Sequence, residues 1–412
     1  MRSIEKGRSD LLEIFEAAVE AVGGRRAVSD HLQGSSLEGE WSLVAVGKAA
    51  EAMARGAEEV LGERLLDGLV ITKWGHLDPQ WLAGSRFQGI ESSHPVPDGA
   101  SLEAGRRMVN YLEELPEERQ LLFLISGGTS SLVELLPPGV EGEQLARLNE
   151  WLLSSGLSIT AINRIRKRIS LVKGGGLLRY LGQRRVVGLL ISDVPGDDPA
   201  VIGSGLLVAG GREESVMPSL PEWVEQLLGQ VPERASEPGI DVSLEIVANL
   251  KKAREAAAEK ARALGYETRV SHAFISADAT NSGRRLALEL LDALPGIYIW
   301  GGEPTVILPE KPGRGGRNQH LALSAATVIE GTKDICFLSC GTDGTDGTGE
   351  DAGGLVDGGT LGRGRKEGFD AVECLARADS GSLLEASGDL VSTGPTGTNV
   401  MDLMIGLKCS EK

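Results

Sequence analysis

No apolar run in this chain reaches the ~20 residues that a membrane-spanning helix needs. The opening stretch, MRSIEKGRSDLLEIF, lacks the apolar core and small-residue cleavage site of a secretory signal. A cytoplasmic location is the expectation. Basic charge is short as well: 42 Lys and Arg against 59 Asp and Glu leave a net charge of −17. Such a surface argues against nucleic acid, whose phosphates require a basic face, but allows a local basic pocket for a small anion. The four cysteines (Cys336, Cys340, Cys374, Cys409) show no C-x-x-C spacing, so neither a disulfide framework nor a zinc site is expected. The five histidines are scattered and form no metal-ligand pattern. Gly47-Lys48 is not a phosphate-binding G-x-x-x-x-G-K loop, because Ser42 stands where the first glycine belongs. A dinucleotide G-x-G-x-x-G loop followed by an acidic residue about 20 positions later is missing too.

Glycine is present in excess, 56 of 412 residues against the usual ~7%, and clusters at the ends of apolar runs. A chain of this length predicts two domains. LLEIFEAAVEAV (11–22) has helical periodicity. LVAV (43–46), GLVIT (68–72), LLFLIS (121–126) and VVGLLIS (186–192) read as buried strands separated by helices. That alternation predicts a mostly parallel sheet covered on both faces. Pro218, Pro221, Pro232 and Pro238 break the pattern between 209 and 240. The expected domains are therefore 1–238 and 239–412, both α/β, with the site in the cleft between them. In the second, the reading is helix 243–264, strand AFISA, helix 279–293, strands GIYIW and TVIL, helix 317–330 and strand ICFLS.

Ligands of α/β sheets bind beyond the carboxyl ends of the strands. Five such ends carry suggestive groups. Gly47-Lys48 follows LVAV, and a lysine opening a helix sits against the positive end of the dipole, so a functional role is favoured. Ser126-Gly127-Gly128-Thr129-Ser130-Ser131 follows LLFLI and reads as a capped turn or an anion cradle. SDVPGDDP (192–199) places Asp193 just past a strand. GRGGRNQ (313–319) sets Arg314 and Arg317 among glycines, where guanidinium forks could meet phosphate or carboxylate. GTDGTDGTGEDAGG (341–354) holds Asp343, Asp346, Glu350 and Asp351, and their spacing is not that of an EF-hand. In SSHPVPDGAS (92–101), Asp98 is expected to cap the following helix and His94 to be structural.

Eight stretches, in order from 41 to 403, together resemble the class II glycerate 2-kinases, the MOFRL family, some of whose members carry a hydroxypyruvate reductase label. They are VAVGKAAEAMA, SSHPVPDGAS, LISGGTSSLVELLPPG, INRIRKRISLVKGGGL, ISDVPGDDPAVIGSG, GGEPTVILPEKPGRGGRNQHLAL, GTDGTDGTGEDAGGLVD and STGPTGTNVMDL. The resemblance implies an ATP- and Mg2+-dependent kinase that converts D-glycerate to 2-phosphoglycerate. It also implies a Rossmann-like N-terminal domain and a MOFRL-type α/β C-terminal domain. Pro304, His320 and Leu206 depart from the family pattern, beside its core positions.

On that reading Lys48 and Arg317 contact the anionic substrate or the transferring phosphoryl group, and Asp193 is the base or helps to position magnesium. Ser126, Gly127 and Gly128 hold substrate, with Asn249, which matches a family position. Gly313, Arg314, Gly315, Gly316 and Thr342 line the nucleotide phosphates. Asp343 and Asp346 are the expected magnesium ligands, since carboxylates facing a triphosphate need a cation between. The partners expected are glycerate and ATP, with an oligomer possible. The alternatives are a nicotinamide-dependent hydroxypyruvate reductase, a kinase for another short sugar acid, and a non-enzymatic anion or nucleotide sensor.

Overall fold

The computed structural model describes residues 4–208, 219–231 and 241–410. The expected boundary at 238/239 lies outside the described residues. By its contacts the chain divides into two compact units, Gly24–Val247 and a second made of Met1–Gly23 with Ala248–Lys412. The N-terminal helix thus differs from the expected 1–238 domain by joining the C-terminal unit.

The unit Gly24–Val247 is built on a six-stranded sheet. Its strands are β1 (Trp41–Val46), β2 (Leu65–Lys73), β3 (Phe87–Ser92), β4 (Gln120–Ile125), β5 (Val186–Ile191) and β6 (Val242–Ala248). Their spatial order is β3-β2-β1-β4-β5-β6, the doubly wound order of dinucleotide folds. The pairs β3–β2, β2–β1, β1–β4 and β4–β5 are parallel. β1 and β5 are buried at every residue, which is why they read as continuous apolar runs rather than alternating ones. β6 corrects the expected helix from 243: Val242, Leu244 and Ile246 alternate with the exposed Ser243 and Glu245, a period of two. The helix begins only at Leu250.

The second unit carries β7 (Thr268–Ile275), β8 (Gly296–Gly302), β9 (Ile335–Gly341), β10 (Gly353–Asp357), β11 (Leu390–Val391) and β12 (Asp402–Lys408). The order is β11-β10-β9-β12-β8-β7. Only β7–β8 is parallel; the other four pairs are antiparallel. TVIL (305–308) is not a strand. Thr305 makes a lone bridge to Asp278, and Ile307 and Leu308 are exposed. Pro304 and Pro309 flank the run and remove donors that a ladder requires.

The helix Ile4–Ala21 belongs to this unit for visible reasons. Leu11, Ile14 and Phe15 are buried. Arg8 bonds Asp357 at 2.6 Å and Asp389 at 2.8 Å, and Arg363 bonds the same two carboxylates. Asp10 accepts from the Tyr266 hydroxyl at 2.5 Å.

Candidate active site

In a doubly wound sheet the crevice opens where the strand order reverses, here between β1 and β4. Two of the expected loops meet there. The Lys48 amide donates to Gly127 O at 2.9 Å, the Ser126 amide to Val46 O at 3.0 Å, and the Ala49 amide to Ser126 Oγ at 3.0 Å. The buried Thr129 hydroxyl closes the turn, 2.8 Å from Val46 O and 2.7 Å from Ser126 O. Gly47 adopts φ 132°, and a Cβ there would stand 2.1 Å from Ser126 Oγ, so only glycine lets the two strand ends come this close. The half-buried Lys48 side chain emerges beside Gly128, which has φ 87°. The helix after Gly128 is a single turn, Thr129–Leu132. His94, at the end of β3, lies against the same glycine.

Asp193 follows β5 on the same edge of the sheet and is half-buried. Its loop folds back on the β4 turn: Ser204 Oγ is 2.6 Å from Ser130 Oγ. The Gly174 and Gly175 amides donate to Ser204 O and Gly205 O at 2.8 and 2.7 Å. Lys48, Ser126, Gly127, Gly128 and Asp193 thus share the C-terminal edge of one sheet.

The other expected residues belong to the second unit. Arg317 is the first residue of the helix Arg317–Ile329. Its guanidinium grips Asp402 with two nitrogens, at 2.6 and 3.1 Å, and Glu303 with a third at 2.8 Å. Burial alone would lower its pKa, but the Asp402 and Glu303 carboxylates together outweigh this and raise it. Asp402 is buried, and burial pushes it up to about 7 against the pull of Arg317. Asp346 accepts the Asn318 amide on one oxygen at 3.0 Å and the Gln319 amide on the other at 2.8 Å. A carboxylate from a distant loop therefore caps a helix whose own Gly316 has no side chain to offer. Burial raises the pKa of Asp346, against those amide bonds.

Asp343 is half-buried, and one of its oxygens accepts the Thr345 amide and hydroxyl, each at 3.0 Å. A Cβ on Gly341 would stand 3.4 Å from Asp343 Oδ1 and 3.5 Å from Asp402 Oδ1, so both carboxylates border the end of β9. Arg314 is held outward by Glu385 and by Asp351, the latter at 2.9 Å. Gly313 and Gly316 admit close neighbours, since a Cβ would fall 2.3 Å from Asp379 and 2.4 Å from Asp346. Thr342 is buried, its hydroxyl 2.6 Å from Met401 O. Asn249 caps the helix Leu250–Ala263 by accepting the Lys252 amide at 3.0 Å. No group of three or more His, Cys, Asp or Glu side chains suited to a metal occurs among the described residues.

Asp402 and Glu303, which fix Arg317, were not among the expected site residues. Asp402 lies in the STGPTGTNVMDL stretch, 85 residues from its partner. Its only local sign is an acidic residue opening an apolar strand.

Two family models match: a domain of unknown function over residues 10–219 and the MOFRL family over 296–402. A D-glycerate 2-kinase of Thermotoga maritima is 38% identical, covering 96% of this chain and 97% of that one. The chain belongs to the class II glycerate 2-kinase (MOFRL) family. A putative hydroxypyruvate reductase of Agrobacterium vitis is 36% identical over 89% of this chain and 98% of its own length. The crystal structure of a glycerate kinase from Thermotoga maritima superposes with a TM-score of 0.85 at 37% identity, covering 98% of this chain and all of that one. No helix among the described residues is long and apolar enough to cross a membrane.

Proposed function

We propose that this family member transfers the terminal phosphoryl group of ATP to the 2-hydroxyl of D-glycerate. The observation that carries the reading is the β1–β4 reversal point, where Lys48 and the Ser126–Gly128 turn meet, in a chain similar over its whole length to a D-glycerate 2-kinase. A phosphoryl transfer asks the protein chiefly for positioning and charge compensation. Lys48 supplies a cation toward the substrate anion or the phosphoryl oxygens, and the Ser126–Gly128 turn lets the acceptor approach the backbone. Asp193 accepts the proton of the attacking hydroxyl, whose oxygen forms the new bond to phosphorus as ADP leaves.

In the second unit, Arg317 presents charge to the nucleotide phosphates while Asp402 and Glu303 hold its fork. Thr342 and the glycines 313, 315 and 316 shape the adjoining loops. Mg2+ shields the phosphate charge when bound. A carboxylate beside the nucleotide phosphates would hold Mg2+, and Asp343 borders the end of β9 beside Asp402. Asp343 is the better ligand of the two expected, because Asp346 has both oxygens on helix amides. Asn249 acts as a cap.

The hydroxypyruvate reductase name borne by two Agrobacterium vitis relatives finds no support at the end of β1, where Gly47-Lys48-Ala49 replaces the three-glycine turn that receives a dinucleotide pyrophosphate. An ATP-consumption assay over a panel of short hydroxy acids, with phosphorus NMR of the product, tests the proposal. D-Glycerate should give 2-phosphoglycerate. Lys48→Ala should lower turnover by about 100-fold or more, as loss of a charge-stabilising contact does. NADH oxidation with hydroxypyruvate, or turnover of Lys48→Ala within a few fold of wild type, would overturn it.

A further inference from the structure

One group at the β1–β4 reversal point has no part in the reading above. His94 leaves the end of β3 and turns the Cδ2–Nε2 edge of its ring onto Gly128. A methyl group on Gly128 would stand 3.0 Å from His94 Cδ2, 3.2 Å from Nε2 and 3.3 Å from Lys48 Cγ. Three strand ends therefore bring an imidazole, an ammonium stem and a side-chain-free residue together. The Gly128 position is the one that any side chain would fill.

The segment that carries His94 is fastened on both sides. Ser92, buried, donates its hydroxyl to Leu132 O at 2.8 Å, which ties the end of β3 to the turn that Gly128 opens. Beyond the two prolines, Asp98 accepts the Ala100 amide at 2.8 Å, and its own amide donates to Ser101 Oγ at 3.2 Å. This reciprocal cap holds the segment to the helix Gly99–Glu114. The ring is thus pinned to the same turn as the proposed acceptor contacts. With its proton on Nε2 the imidazole donates to an oxygen, and beside Lys48 it is suited to a small oxyanion.

We propose that His94 is a substrate-contacting residue that hydrogen-bonds an oxygen of the acceptor hydroxy acid over Gly128. The inference rests on the reading of Ser126–Gly128 as the acceptor site. It assigns His94 to the acceptor and not to the nucleotide, so the two Michaelis constants should respond differently. A histidine that merely packs would leave both unchanged in a variant that still folds.

The test is steady-state kinetics of the full-length protein with D-glycerate and MgATP, together with calorimetric titration of D-glycerate. Wild type, His94→Gln and His94→Asn are compared, with thermal midpoints as a check on folding. At least one variant keeping a wild-type midpoint should show KM and Kd for D-glycerate raised about tenfold or more, with KM for ATP within twofold. Folded variants whose glycerate constants stay within twofold of wild type overturn the inference, as does a rise confined to the ATP constant. If both variants unfold, His94 is a packing residue and the inference also fails. A wild-type protein that neither binds nor phosphorylates D-glycerate removes the underlying reading and this inference with it, whereas active wild type with unaffected variants removes His94 alone.

Discussion

Asp402 is buried, yet two nitrogens of Arg317 sit on its oxygens at 2.6 and 3.1 Å. Burial raises its pKa to about 7, above the ~3.9 of an unfolded aspartate. Between those values the native state holds more of this proton than the unfolded state does. The stability it contributes is complete below about pH 4 and is lost as pH rises through about 7. Asparagine has no such proton. Asp402→Asn should therefore lose less stability than wild type between pH 5 and pH 8, by about 2–3 kcal/mol in urea titrations. Parallel curves for the two proteins would mean that Arg317 keeps Asp402 ionised throughout. At this scale the sequence singles out Lys48 because a lysine opening a helix meets the positive end of the dipole, and Arg317 by its setting among glycines. Its partners were not legible, because Asp402 reaches Arg317 through an antiparallel pairing that no local pattern announces. His94 was read as structural, since a proline-flanked histidine on a loop carries no sign of the glycine it will face.

Elements were read best where burial is complete on both faces. β1, β4, β5, β8 and β9 appeared as unbroken apolar runs, since parallel or central strands have no solvent face to mark with polar residues. The failures have the opposite cause. Val242–Ala248 is short, half-polar and runs straight into a helix, so the helical period of its neighbour swallowed it. β3 holds only two apolar side chains among FQGIES, Phe87 and Ile90, and was passed over. The loop 341–354 was recognised as chemistry at a strand end, but one of its carboxylates serves an element. Asp346 satisfies two of the first amides of the helix Arg317–Ile329. Asp346→Ala should destabilise that unit by about 1–2 kcal/mol and speed amide exchange at Asn318 and Gln319. Unchanged exchange at those two amides, coupled to a higher magnesium requirement, would move Asp346 from cap to metal ligand.

For the molecule as a whole, the sequence indicates two α/β units but not which segments build them. The helix Ile4–Ala21 has the amphipathic period of any helix on a core, and that period does not name the core. The decision lies in long-range contacts. Phe15 is buried, Arg8 joins Arg363 on Asp357 and Asp389, and the Thr398 hydroxyl donates to Val22 O at 2.6 Å. The C-terminal unit therefore requires the first residues of the chain before its sheet is covered. Truncating a buried phenylalanine typically costs about 3–5 kcal/mol, the lost transfer energy plus the cavity left behind. Phe15→Ala should accordingly reduce amide protection in β8, β9 and β12, and leave β1, β4 and β5 close to wild type. Exchange by mass spectrometry on intact protein, digested after quenching, reads the two sets separately. Loss of protection centred on β1, β4 and β5 would return the N-terminal helix to the unit it precedes in sequence.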